Sequence, residues 1–396
     1  MRDRVLIYAS VFLRCTAIGS LKVYLGIYLI TLGLTENQLG IVVSAGLGGV
    51  MLGTLAASFL GDRLGRRQSL ALVALLNVAG VGGLIFLNDF GSILAIAFLG
   101  MINGMGKERG AGVALENAAL PQTTTDTDRT RAFAYYNVVM DVAHGLGAVL
   151  GMLPAFLREQ GVAGLDSYRI TLVVYAALMA LSMAAALLMT RKVELGERKP
   201  VATLTPETRK IVLGFAALSW LDSFGSGFIA GSILSVWISA TFHVGEAAIG
   251  ALYLGGSVAN AISHFGAAWL SKKIGLVNTM VFTHIPSSLF LIAMAFAPTF
   301  VLAAVFYMAR ELLVEMDVPT RQSYLAGVVK PEERTAAAGL VAVARNLGWA
   351  AAPTLAGYVL KWSLFASPLV MAGALKIVYD LALWRSFRNI KPPEEV

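Results

Sequence analysis

The feature that most limits what this chain can become is a series of twelve apolar stretches separated by short polar breaks. They cover residues 5–32, 37–60, 69–87, 91–120, 132–156, 169–190, 208–241, 246–270, 276–296, 299–329, 335–360 and 365–387 of the 396-residue sequence. A helix needs about 20 apolar residues to cross the hydrocarbon core of a bilayer, and each stretch supplies them. Only 14% of the residues are charged and 57% are hydrophobic. Soluble domains carry about 25% charged residues, so too few polar groups exist here to cover a water-facing surface. In lipid the backbone must satisfy its own hydrogen bonds, and runs of this length do so as helices. The sequence predicts an all-α, multi-pass membrane protein with twelve transmembrane helices.

The formal net charge of +7 does not point to nucleic acid. The basic residues sit in short clusters between apolar runs and form no continuous stripe. Placing the N-terminus in the cytoplasm puts twenty Lys and Arg at the span ends or beyond them on that side, among them Arg63, Arg66, Arg67, Lys272 and Lys273. Three, Arg158, Arg169 and Lys361, fall on the other. That imbalance is the positive-inside pattern. It predicts a protein of the cell membrane with both termini cytoplasmic. The one cysteine, Cys15, lies inside the first span, so neither a disulfide framework nor a thiolate metal site is expected. The N-terminus runs straight into a span too long for a signal peptide's apolar region, and is read as a retained helix.

The longest polar connection, residues 191–207, divides the chain into residues 1–190 and 208–396, each with six spans. The halves echo each other. A shift of 201 residues brings Arg109 onto Arg310, Glu116 onto Asp317 and His144 onto Arg345. It also aligns Ala143-His144-Gly145-Leu146-Gly147 with Ala344-Arg345-Asn346-Leu347-Gly348. Parallel six-helix repeats of this kind mark one large transporter architecture.

The loop after the second span reads Gly61-Asp62-Arg63-Leu64-Gly65-Arg66-Arg67. In pattern and position it resembles the loop signature of the major facilitator superfamily. Ser271-Lys272-Lys273-Ile274-Gly275 is its counterpart in the second half, without the acid. The resemblance extends over the whole chain. It implies two pseudo-symmetric six-helix bundles around a central cavity that opens alternately to each side. Within the family the chain looks most similar to drug/proton antiporters, with two departures. Gly100 stands where their fourth span carries an Arg, and Pro154 is displaced from the Gly-Pro signature of their fifth. Asp62, Arg63, Gly65, Arg66 and Arg67 are expected to act in gating, with Arg66 and Arg67 anchored at the headgroups.

Ionisable residues inside a membrane are costly, about 2.5–3.5 kcal/mol each on insertion scales, so their places are informative. Spans one, four, seven and ten hold most of them, and the resemblance implies that these line the cavity. Lys376 and Asp380 in span twelve are exceptions, and their four-residue spacing lets them pair on one helix face. Arg14, Lys107, Glu108, Asp141, Asp222, Arg310, Glu311 and Arg345 form a layer near mid-depth. Arg14, Lys107, Glu108, Arg310, Arg345 and Tyr307 are candidates for substrate binding. Asp222, Asp141, His144 and Glu311 are candidates for proton coupling. Asp222 is the one charge in span seven, beside Trp220 and Phe224, and is expected to be unpaired. Arg14 is likewise expected to stand alone in span one. Asp141 and His144, three residues apart, share a helix face and suit a relay. Of Arg310 and Glu311, one is expected to face the cavity and the other to pack. Glu116, Asp317 and Arg321, with Arg109, are assigned to an inner gate.

Neither a nucleotide-binding loop nor a metal motif nor a nucleophile constellation occurs in the sequence. The chain is therefore expected to be no enzyme, to need no cofactor or metal, and to work as a monomer among membrane lipids. The first expectation is proton-coupled efflux of a small organic molecule by alternating access. The second is uptake of a small organic anion or metabolite, which the cationic mid-depth residues permit.

Overall fold

The computed structural model describes residues 2–107, 110–125, 128–194, 204–330, 333–362 and 367–390. Eight of the twelve spans are single helices: α1 (Arg2–Thr31), α2 (Glu36–Leu64), α3 (Arg66–Phe86), α8 (Gly164–Leu187), α11 (Glu246–Ile274), α12 (Leu276–Ala295), α15 (Arg334–Trp362) and α16 (Ser367–Phe387). Each of the other four is built from two helices. Span four is α4 (Phe90–Leu99) and α5 (Ala111–Ala119), and span five is α6 (Arg129–Leu150) and α7 (Leu153–Glu159). Span seven is α9 (Pro206–Gly227) and α10 (Gly231–Phe242), and span ten is α13 (Phe300–Val314) and α14 (Asp317–Val328).

These divisions correct the sequence expectation, which drew spans four, five, seven and ten as continuous. Glycine explains the largest break. Between α4 and α5, Met101, Gly104 and Gly106 all have positive φ, a region that glycine enters without steric cost. A Cβ on Gly104 would lie 2.7 Å from the Cβ of Ser232, so the break also permits a close approach.

Helix starts follow local chemistry. Thr35 and Gln38 form a reciprocal capping box on α2, and Asp89 and Thr299 cap α4 and α13 through their side-chain oxygens. Gly65 (φ 90°) and Gly275 (φ 86°) turn the chain between spans two and three and between spans eight and nine. The two copies of the loop signature thus share a backbone device.

Large apolar side chains point outward along the helices. Phe86 is 80% exposed, Val301 72% and Phe296 70%, the pattern of helices whose solvent is lipid. The chain is an all-α membrane protein of twelve spans in two related sets of six.

By proximity it forms two compact units, Met1–Arg198 with Ala230–Leu254, and Lys199–Ile229 with Gly255–Val396. In the first, a core of Ile7, Val11, Cys15, Leu70, Leu115 and Tyr136 lies under spans one, three, four and five. In the second, Phe215, Met280, Tyr324, Tyr379 and Phe387 play the same part. The internal repeat is visible in the packing. A Cβ on Gly147 of α6 would come within 2.6 Å of the carbonyl oxygen of Thr16 on α1. A Cβ on Gly348 of α15, 201 residues later, would come within 2.5 Å of that of Trp220 on α9. Both glycines allow the same backbone-to-backbone contact.

Candidate functional site

In the first unit, Arg14 of α1 reaches the carboxylate of Glu116 on α5. Its Nη1 and Nη2 donate to Oε1 and Oε2 at 2.7 and 2.6 Å. The Tyr136 hydroxyl of α6 donates to Oε2 at 2.8 Å. Both charged side chains are almost fully buried. This fork-to-fork geometry is the strongest form of ion pair a protein makes. One expectation is corrected. Arg14 is not alone, because the break in span four allows α5 to bring Glu116 to its depth. Glu116, assigned from the sequence to an inner gate, is the partner of Arg14.

In the second unit, four helices bring their charges to Asp222 of α9. Lys376 Nζ of α16 donates to Oδ1 at 2.7 Å, and Arg345 Nη1 of α15 donates to Oδ2 at 2.9 Å. Arg321 Nη1 of α14 lies 3.6 Å from Oδ2, and His284 Nε2 of α12 lies 3.9 Å from Oδ1. Arg321 also pairs with Asp317 one turn away at 2.5 Å. Beyond Lys376, His284 Nδ1 lies 2.9 Å from Asp380 Oδ1. Asp222 is therefore not the unpaired carboxylate expected from its own helix, since its partners come from other helices. Lys376 and Asp380 do not pair with each other along α16. Each turns to a different helix, and both are buried, which removes them from the lipid face expected of span twelve. Asp317 and Arg321 extend this array.

Arg345 keeps the most contact with solvent in the array, at 12% side-chain exposure against 3–4% for Asp222 and Lys376. It also stacks over the ring of Trp349, 4.8 Å from its centroid. Arg310 and Glu311 contact each other directly, and Asn260 of α11 donates to Glu311 Oε2 at 2.7 Å. The expected division of these neighbours between cavity and packing is replaced by a pair. Tyr307 lies buried one turn away on α13, against Gly256. Asp141 is exposed whereas His144 is buried. Three residues leave about 60° between side chains, and the edge of the buried face passes between them. Lys107 is half-buried. Glu108, Arg109 and the side chain of Asp62 lie outside the described residues.

The loop signature is tied to the chain that follows span six. Glu194 accepts hydrogen bonds from the backbone N–H groups of Arg66 (2.6 Å) and Arg67 (3.3 Å) at the start of α3. It supplies the negative charge a helix N-terminus favours. Arg66 Nη1 donates to the carbonyls of Ala118 and Val193, and Arg67 Nη1 to that of Met189. Arg66 is 2% exposed. These arginines are clasps on backbone carbonyls, not the headgroup anchors that their membrane-edge position suggested. Arg63 is exposed.

Sequence reasoning missed His284, Lys376, Asp380 and Glu194. Charges inside spans nine and twelve were the signal for the first three, and the i, i+4 spacing of Lys376 and Asp380 offered a simpler explanation that the fold does not use. It also missed Glu246 at the first turn of α11, which contacts Arg158 of α7 and Tyr168 of α8.

The sequence profile of the Major Facilitator Superfamily matches residues 7–222 and again 215–396. An uncharacterized membrane protein of Saccharomyces cerevisiae, YJR124C, is 25% identical over 98% of this chain and 95% of its own length. Among solved structures, the nucleoside transporter NupG superposes with a TM-score of 0.77 at 12% identity, over 98% of this chain and all of its own. A D-xylose–proton symporter superposes with a TM-score of 0.72 at 14% identity, over 96% of each chain. At these identities the structural likenesses speak for the fold alone.

Proposed function

Since the chain belongs to the Major Facilitator Superfamily, and so is a multi-pass transporter of small solutes and not an enzyme, we propose that it carries a small organic solute with an anionic group together with a proton. The observation that carries this is the surroundings of Asp222. Its carboxylate is the internal counter-anion of Arg345 and Lys376 at 2.9 and 2.7 Å. A solute anion competes for Arg345, the most accessible of the cations, and displaces Asp222 from it. Tyr307 and Arg310 on α13 are further candidates for solute contact.

Charge compensation then links solute to proton. The named groups balance when empty, with Lys376, Arg345 and Arg321 against Asp222, Asp317 and Asp380. An anion alone leaves one excess negative charge, and a proton alone one excess positive charge. Either costs about 2.5–3.5 kcal/mol within a membrane, and loading both removes that cost. Both penalties enter the linkage cycle, so the expected coupling is about 5–7 kcal/mol, roughly ten-thousand-fold in affinity and equal in both directions. Such linkage favours co-transport, and hence uptake where the proton gradient points inward. The D-xylose–proton symporter of the same fold supports proton coupling in this architecture. The distribution of basic residues supports a cell-membrane carrier with cytoplasmic termini.

Exchange of an exported solute for an incoming proton, the first expectation from the sequence, is favoured by a different observation. A cationic solute can compete with Arg14 for Glu116, whose carboxylate accepts from Arg14 at 2.6 and 2.7 Å and from Tyr136 at 2.8 Å.

The test is uptake by purified protein in liposomes, using a panel of small carboxylates, organic amines, nucleosides and pentoses with and without an inward proton gradient. The expected result is gradient-driven accumulation of an anionic member, abolished by an uncoupler and weakened at least tenfold in apparent affinity by Arg345→Gln. Accumulation of a cationic member against an outward-directed load points to exchange. Indifference of every flux to the proton gradient overturns proton coupling.

A further inference from the structure

His284 on α12 and Asp380 on α16 stand at the far end of the Asp222 array, beyond Lys376, and solute recognition at Arg345 does not use them. Their hydrogen bonds fix a direction. Lys376 Nζ is 2.7 Å from Asp222 Oδ1 and 3.4 Å from His284 Nε2. An ammonium only donates, so Nε2 accepts and the ring proton sits on Nδ1. From there it is donated to Asp380 Oδ1 at 2.9 Å. The network thus assigns a neutral imidazole that holds one oxygen of Asp380.

The other oxygen, Oδ2, is buried and has no hydrogen-bond partner among the described residues. The buried hydroxyl of Tyr379 also lacks a partner there, and its ring stands edge-on to His284, 5.9 Å between centroids. A buried carboxylate oxygen without a donor is costly, and a proton on it lowers that cost by removing the charge.

We propose that Asp380, oriented by His284, is the carboxyl that holds the transported proton. This rests on the proton-coupled function above and gives that function its residue. The charged and titratable groups facing the pair are Asp222 from α9, Asp317 from α14, and Lys376 and Tyr379 from α16; Arg321 from α14 and Arg345 from α15 join through Asp222. A proton on His284 would set a second cation 3.4 Å from Lys376. A proton on Asp380 Oδ2 forms one O–H bond, breaks none of the array's hydrogen bonds, and leaves the Nδ1–H donation to Oδ1 in place. The array then carries one uncompensated positive charge, which a solute anion at Arg345 cancels. Asp222 stays ionised between Lys376 and Arg345 and relays the change in charge. His284 is a positioning residue in this scheme.

The experiment is pH-difference infrared spectroscopy on the full chain in liposomes, with no solute present. The wild type is expected to gain, on acidification, a carbonyl band at the frequency of a carboxyl in apolar surroundings. Asp380→Asn is expected to lose that band. Asp380→Glu is expected to keep it at a shifted frequency, which separates loss of the group from loss of the fold. His284→Gln is expected to keep the band and move its titration midpoint, a change that packing alone does not produce. Three results overturn the assignment: no such band in the wild type, a band that survives Asp380→Asn, or one lost only in Asp222→Asn. In each case gradient-driven uptake by the wild type can still stand, so the failure is confined to the residue. A band assigned to Asp380 in a protein whose fluxes ignore the proton gradient leaves the proton site and removes the transport coupling.

Discussion

Replacing Arg14 by methionine removes one half of a buried, bidentate pair and leaves Glu116 in place. The two side chains are 3% and 0% exposed, so water screens the pair little. In Arg14→Met, Glu116 keeps the Tyr136 hydroxyl at 2.8 Å but loses both donors at 2.6–2.7 Å. Removing one partner of a buried ion pair costs about 3–5 kcal/mol, because the remaining charge is stranded. Replacing both by apolar side chains of similar volume is close to neutral. The double variant Arg14→Met with Glu116→Leu should then lose only the Tyr136 hydrogen bond, about 1 kcal/mol. Equilibrium unfolding in mixed micelles, followed by tryptophan fluorescence, measures all three proteins. The double variant is expected to regain most of the stability that Arg14→Met loses. A single variant within about 1 kcal/mol of wild type, or a double variant no better than the single, would refute the claim that this pair is a buried, mutually dependent unit.

Gly46→Ala should be severely destabilising, since its Cβ would fall 1.9 Å from the carbonyl oxygen of Ile102, whereas Gly82→Ala, with open space around it, should be tolerated; thermal denaturation of the two variants tests the contrast. Arg66→Ala should lower stability by about 2 kcal/mol or more by orphaning buried carbonyls, while Arg63→Ala, at an exposed position, should change it by less than about 0.5 kcal/mol; equal effects in the same assay would contradict the carbonyl-clasp role. Hydrogen bonds from the Thr208 hydroxyl and the Thr205 amide hold Glu333 below the usual carboxylate range. Its contribution is therefore present above the unfolded-state value and is lost as pH falls through the lowered folded value. Amide exchange in the first turn of α9 should accelerate over that acidic window, and Glu333→Gln should abolish the pH dependence; an unchanged exchange profile in the variant would count against the cap.

The fold was largely written in periodic features that no tertiary contact is needed to see. Twelve apolar runs and the charge asymmetry of their connections predict the spans, and the 201-residue repeat reappears as the matched contacts of Gly147 and Gly348. What escaped the sequence is the identity of cross-helix partners. Asp222 looked unpaired because a sequence displays i, i+4 neighbours but not the α15 and α16 faces turned toward α9. The same bias joined Lys376 to Asp380 on paper, although each is drawn to a stronger partner elsewhere. Arg14 looked alone because span four was drawn straight. Its break between α4 and α5 decides where Glu116 sits, and the glycines that make it, Gly104 and Gly106, were visible without their torsion angles. Arg66 and Arg67 shared the composition of headgroup anchors, and only the placement of Glu194 and of the carbonyls after span six shows them turned inward.

If a proton and a monovalent anion move together because each cancels the charge of the other, the cycle carries no net charge. Proteoliposomes loaded with the transported carboxylate can be given a potassium diffusion potential without a pH gradient, and then a pH gradient without a potential. Uptake is expected from the pH gradient alone and not from the potential alone. Uptake driven by the potential at equal pH would show that the solute's charge crosses the membrane uncompensated, which contradicts the linkage between Arg345 and the buried carboxylates.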